Sequence, residues 1–146
     1  MKKIILILAV VITACNAPVE VNTEEEVGAG FFSPQPGEKF VVGSDEITDT
    51  WKKYIDAHNN RDMETILSME SDSLLIVDPT GTRISGKVAH KNALLGWFEA
   101  EDPKWNMYWA MPYEGVPGGA EWIIAGHRVT TNVDGKVVEQ NHMIDA

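Results

Sequence analysis

Hydrophobic positions recur with a helical period in the middle of the chain and alternate with polar ones toward its end. Ile47, Trp51, Tyr54, Ile55 and His58 are spaced by threes and fours, which predicts an amphipathic helix. Ser44 precedes it as an N-cap, and Asp45, Glu46 and Asp49 suit a first turn whose exposed N–H groups attract acids. Asn59-Asn60 ends the period. Asp62 is placed to cap a shorter helix carrying Met63, Ile66, Leu67 and Met69, which Ser71-Asp72-Ser73 closes. Residues 74–77 form an apolar run of strand length, residues 83–85 a second, and Pro79-Thr80-Gly81 between them predicts a hairpin. After Gly86 the helical period returns over residues 88–99, with Leu94, Trp97 and Phe98 on one side.

From residue 105 the period becomes two. Trp105, Met107, Trp109 and Met111 alternate with Asn106, Tyr108 and Ala110, which predicts one strand with both indoles on one face. In residues 122–131, Ile123, Ala125, His127 and Val129 oppose Trp122, Ile124, Gly126 and Arg128. Asp134-Gly135 is a hairpin turn, and residues 137–144 are the last strand. Helices followed by an antiparallel sheet define an α+β fold. A strongly curved sheet wrapped on a helix makes it cone-shaped and encloses a pocket.

The N-terminal residues follow neither period. Lys2 and Lys3 precede a nine-residue apolar run, too short to span a bilayer core of about 30 Å. Residues 1–14 therefore read as a secretory signal peptide. Cys15 is the only cysteine, which excludes an intramolecular disulfide. Residues 15–43 are rich in Pro, Gly and Glu and read as a tether, interrupted by Phe31-Phe32 and Phe40-Val41-Val42, which suit docking on the domain or a short strand. The folded domain is expected over residues 44–146. The formal charge is −10, and loss of Lys2 and Lys3 leaves −12. Such a surface repels phosphates and anionic headgroups, so nucleic acid is excluded as a partner. The histidines show no metal-binding spacing, and no glycine loop of the phosphate-binding kind is present, so neither metal nor cofactor is expected.

Two resemblances extend this reading. The box Ile12-Thr13-Ala14-Cys15 resembles a bacterial lipoprotein signal. It implies cleavage before Cys15, a lipid anchor on that residue that attaches the protein to a membrane, and a place in the cell envelope; Asn16 points toward the outer membrane. The order of elements, with Tyr54-Ile55-Asp56-Ala57, Asn59, Asp62, Val77-Asp78-Pro79-Thr80-Gly81 and Ser85-Gly86, resembles the nuclear transport factor two-like superfamily, nearest its SnoaL-like and ketosteroid isomerase branches. The resemblance runs from Asp45 to the C-terminus. The family pattern continues with a further glycine turn and strand, so it also implies a sheet that is short of its last strand, is completed by a partner chain, or belongs to a fragment.

In the isomerases a carboxylate at the place of Asp78 is the general base, and a tyrosine at the place of Tyr54 donates to the developing oxyanion. His142 stands where those enzymes have a protonated acid, a change of residue type. The resemblance thus implies Asp78, Tyr54 and His142 as a catalytic set. Each also has a bland reading: Asp78 as the acceptor of its own turn, Tyr54 as a core ring, His142 as a strand histidine. Trp97, Trp109, Trp122, His90 and His127 are the candidate ligand-binding residues, because indoles and imidazoles lining a cone suit a flat apolar molecule; core packing is their alternative. Three functions follow. The first is a lipid-anchored binding domain for a small apolar ligand. The second is an isomerase-like or cyclase-like enzyme that moves a proton beside a carbonyl. The third is a non-enzymatic homodimer or partner-binding domain that pairs through its sheet.

Overall fold

The structure is a computed structural model and describes residues 28–146 with the exception of residue 79. The signal peptide, Cys15 and the first part of the tether lie outside the described residues. The elements in order are β1 (Lys39–Val42), α1 (Asp45–Asn59), α2 (Met63–Met69), β2 (Leu75–Val77), β3 (Arg83–Ser85), α3 (Lys87–Glu101), β4 (Lys104–Val116), β5 (Glu121–Val133) and β6 (Lys136–Asp145). The long strands form a four-stranded antiparallel sheet in the order β1-β4-β5-β6; β2 and β3 form a separate hairpin. α1 and α3 pack on one face of that sheet and α2 packs on both helices, giving the α+β fold expected.

Local chemistry sets most element ends. Asp62 caps α2, its side chain accepting from the Thr65 backbone N–H at 3.0 Å. Ser44 precedes α1 but makes no side-chain cap bond; its carbonyl accepts from Ile47 N–H instead. Asp134 and Gly135 both have positive φ (52° and 75°), the conformation a two-residue hairpin between β5 and β6 requires. Asn59, the last residue of α1, brackets the backbone of Trp105: its amide donates to the Trp105 carbonyl at 2.8 Å and its side-chain oxygen accepts the Trp105 N–H at 2.8 Å. That pair fixes the end of α1 to the start of β4. Arg61 lies over the Phe98 ring at 4.1 Å and donates to the Pro103 carbonyl at 2.8 Å, tying the α1–α2 turn to the end of α3.

The core lies between the helices and the sheet. Ile55, Trp105 and Val129 form one cluster, and Ala57, Ile66 and Leu94 another, bridged by Trp97 and Phe98. Burying a side chain such as Ile66 removes about 1.5–3 kcal/mol worth of apolar surface from water, and this layer supplies much of the driving force for folding.

Of the two readings open for Phe40-Val41-Val42, the short strand is the one observed: they lie in β1, which pairs with the far end of β4, Phe40 opposite Gly115 and Val42 opposite Tyr113. One feature departs from the sequence reading: β4 is not a single alternating strand. Met107 pairs with His127, but Trp109 pairs with Gly126, because a bulge at Tyr108 inserts one extra residue. With a side-chain period of two, one extra residue turns everything beyond it to the other face. Trp105 and Met107 therefore face the helices, whereas Trp109, Met111 and Tyr113 face away from them.

Candidate functional site

The two faces of the sheet carry different chemistry. On the helix side, β5 presents Ile123, Ala125, His127 and Val129, all buried, as its alternation predicted. α1 lays Trp51, Tyr54 and His58 against this layer. Trp51 Nε1–H donates to His127 Nε2 at 3.1 Å. His127 therefore accepts through Nε2, carries its proton on Nδ1 and is neutral; burial holds its pKa below the ordinary histidine value. Its Nδ1 is buried with no hydrogen-bond partner.

One turn further along α1, the Tyr54 hydroxyl donates to Glu70 Oε1 at 2.6 Å, and His90 Nδ1 of α3 donates to the same oxygen at 2.6 Å. The Glu70 side chain is 2% exposed, and its Oε2 has no partner. Burial first, then the Glu70 carboxylate, push the Tyr54 phenol well above its usual pKa. His58 donates through Nδ1 to the Tyr54 carbonyl at 2.8 Å, and its ring lies 4.4 Å from that of Tyr54 and 6.0 Å from that of His90. Burial lowers its pKa. The result is a polar seam running from the sheet through α1 to the end of α2 and into α3.

Glu70 was not among the residues the sequence singled out. A signal for it exists: Met63, Ile66 and Glu70 are spaced three and four apart, so the period of α2 carried one residue past its end puts position 70 on the buried side.

The three residues of the expected catalytic set take separate partners. Asp78 lies in the β2–β3 turn, where its Oδ1 accepts from the Thr80 backbone at 2.8 Å, the Thr80 hydroxyl at 2.6 Å and the Thr82 backbone at 2.9 Å. These bonds, the Thr80 hydroxyl foremost, hold its pKa below the ordinary carboxylate value, the opposite of what a general base near neutrality needs. The carboxylate beside Tyr54 is Glu70. His142 pairs across from His127 on the helix side of the sheet, half-buried, with Nε2 3.2 Å from Gln140 Oε1. Among the described residues no hydrogen bond joins Asp78, Tyr54 and His142 to one another.

The expected ligand-binding residues are divided between the faces. His90 and His127 belong to the buried seam. Trp97 packs on Trp105 in the core at 5.2 Å, its Nε1 donating to Glu101 at 2.9 Å. Trp109 and Trp122 are on the opposite face, where Trp109 lies over Gly126, whose missing Cβ makes room for the indole. Trp122 borders a cleft of about 710 Å³ formed by that face, β1 and the segment before it; Phe31, Phe32, Phe40, Met111 and Tyr113 are among its walls. A second, smaller cleft of about 490 Å³ runs between α1 and the start of β4, from Lys52 and Asp56 to Asn106. Among the described residues no group of three or more His, Cys, Asp or Glu side chains is placed to hold a metal ion.

No protein-family model and no curated protein matches the sequence. Solved structures do. The protein Aln2 from a Streptomyces species superposes with a TM-score of 0.58 over 72% of this chain and 81% of its own, at 15% identity. An uncharacterized cystatin-fold protein from Novosphingobium aromaticivorans gives 0.52 over 71% and 86%, at 20% identity. A protein from Kribbella flavida, provisionally assigned as a ketosteroid isomerase, gives a looser 0.44 over 72% and 82%, at 16% identity. At these identities the likeness is one of fold. The chain shares its fold with Aln2 and the cystatin-fold protein, in keeping with the α+β fold that the sequence resemblance implied.

Proposed function

We propose that this protein is a binding domain that holds a small, largely apolar molecule in the aromatic cleft on the face of its sheet away from the helices. The observation that carries this reading is the cleft: about 710 Å³, walled by Phe32, Phe40, Tyr113 and Trp122. Pockets for small ligands span about 300–1,000 Å³ and are lined mainly by such side chains. The helix side of the sheet, by contrast, is filled at the level of Tyr54 by packed rings and a buried carboxyl group. The test is a titration with the neutral dye N-phenyl-1-naphthylamine, followed by its fluorescence. Wild type and Glu70→Gln should bind it alike, and Trp122→Ala should lose most of the binding. Dye binding indifferent to Trp122→Ala would overturn the reading.

Anchorage belongs to the same proposal. The Ile12-Thr13-Ala14-Cys15 box supports a lipid on Cys15 and a place in the cell envelope. Mass spectrometry of the mature protein from bacteria should find an N-terminal, acylated Cys15; an unmodified N-terminus elsewhere would contradict it.

One observation favours a second, enzymatic reading. Tyr54 donates to a buried carboxylate whose other oxygen is unpartnered, and His90 shares that carboxylate. In a proton-transfer enzyme beside a carbonyl, Glu70 would move the proton through its unpartnered Oε2, and Tyr54, whose single O–H is given to Oε1, would hold that carboxylate in place. Exchange of α-deuterium from a small cyclic ketone would then be catalysed by wild type and by Asp78→Asn but not by Glu70→Gln. Exchange at the uncatalysed rate in wild type would dispose of this reading.

A further inference from the structure

We propose that the ligand of the aromatic cleft is an organic cation: a small apolar molecule carrying a quaternary or tertiary ammonium group. The inference rests on the cleft reading above and names the chemistry of its occupant. Four rings close a circuit around one end of the cleft. Phe32 lies 6.2 Å from Phe40, Phe40 5.4 Å from Tyr113, Tyr113 6.2 Å from Trp122, and Trp122 5.6 Å from Phe32. Three of these contacts are edge-on, at 66° to 83°, while Tyr113 and Trp122 are stacked within 10° of parallel. All four rings line the cleft, and ring faces that border it are what an ammonium group seeks, because each presents its negative quadrupole to the charge.

The charge of the cleft agrees. Asp145 is the only carboxylate among its described lining residues and lies beside the ring circuit, with Oδ1 accepting from the Tyr113 hydroxyl at 2.6 Å. Among the described residues no Lys, Arg or His lines the cleft, and none forms an ion pair with Asp145. A neutral apolar ligand seated there would strip water from a carboxylate and return nothing for it. A cation restores that loss, and the −10 charge of the chain raises its local concentration.

The test compares two probes of one shape, phenyltrimethylammonium and the uncharged tert-butylbenzene, by calorimetry on the protein and its Asp145→Asn and Phe40→Leu variants. Thermal unfolding establishes that each variant folds, and sedimentation measures its size at the assay concentration. The cation should bind about tenfold tighter than its neutral isostere. Asp145→Asn and Phe40→Leu should each weaken the cation about three- to tenfold, and Asp145→Asn should leave the neutral probe unchanged. Equal binding of the two probes, or preference for the neutral one, would overturn the cation and leave the cleft reading standing. Binding of the cation that ignores both substitutions would place it elsewhere on the acidic surface and overturn the inference. Binding of neither probe, including the case in which sedimentation shows a second copy covering this face, would overturn both.

Discussion

The two faces of the sheet solve opposite problems with the same strands. Toward the helices, His127, Trp51, Tyr54, Glu70 and His90 are tied into hydrogen bonds, with His127, His90 and the Glu70 side chain buried and Trp51 and Tyr54 partly so. Away from the helices, Trp109, Met111 and Met143 remain exposed, Met143 by 71%, and the rings of the cleft touch each other around open space. The first arrangement favours a single rigid packing, because a buried polar group without its partner costs more than a made hydrogen bond contributes. The second leaves apolar surface that a ligand or partner can cover. A bulge of one residue at Tyr108 separates the two, since without it Trp109 and Met111 would point into the helical layer.

The largest way to break this comparison is Glu70→Ala. It strands the Tyr54 hydroxyl and His90 in the interior, and we expect a loss of about 3 kcal/mol in unfolding free energy, read from a urea denaturation midpoint. Met111→Ala on the open face, 47% exposed, should cost under about 1 kcal/mol. Equal losses would mean that the seam does not hold the fold together. Trp122→Ala should act the other way round, reducing dye affinity about tenfold or more while the protein keeps a cooperative unfolding transition.

Gly126→Ala sharpens the role of the bulge. An added Cβ would meet the Trp109 indole, including its Nε1, far inside contact distance. The indole must swing off the sheet, at a cost of about 1–2 kcal/mol, with a red shift in Trp109 emission as the check. The pH dependence distinguishes the faces again. Burial lowers the pKa of both His58 and His127 from the ordinary 6.5, so near and below that pH the unfolded chain binds more protons than the folded one. Stability from these two residues is complete above about pH 6.5 and declines as the pH falls below it toward their folded values. The melting temperature of wild type should drop over that interval, and His58→Gln should flatten the drop. The smallest effect is expected from Asp78→Asn, which loosens the β2–β3 turn and leaves ligand binding unchanged.

The fold was largely legible because its signals are local. The spacing of Ile47, Trp51, Tyr54 and Ile55, the Asp62 cap, the Asp134-Gly135 turn and the alternation of β5 each act within a few residues, and each element stands within two or three residues of where they place it. The bulge was not legible. Trp105, Met107, Trp109 and Met111 alternate without a break, and only pairing with β5, through the Gly126 that admits the Trp109 indole, decides where the extra residue goes. The same holds for the site. Tyr54 was visible as a helical position, but its partner Glu70 comes from beyond the end of α2 and His90 from α3, a meeting set by tertiary packing. Asp78 was visible for the wrong neighbours: a strand-ending Asp before Pro-Thr-Gly is equally the acceptor of its own turn, and Thr80 and Thr82 take it up.

The five tryptophans offer the most direct measurement, since Trp51, Trp97 and Trp105 belong to the helical layer and Trp109 and Trp122 to the open face. Their indole N–H resonances, assigned in a ¹⁵N-labelled sample and followed during titration with N-phenyl-1-naphthylamine, report on both sides at once. A site in the cleft predicts saturable shifts at Trp122, with Trp109 following more weakly, while Trp51, bonded to His127, and Trp97, bonded to Glu101, stay in place. Shifts led by Trp51 with Trp122 unmoved would put the ligand among the helices and contradict the account.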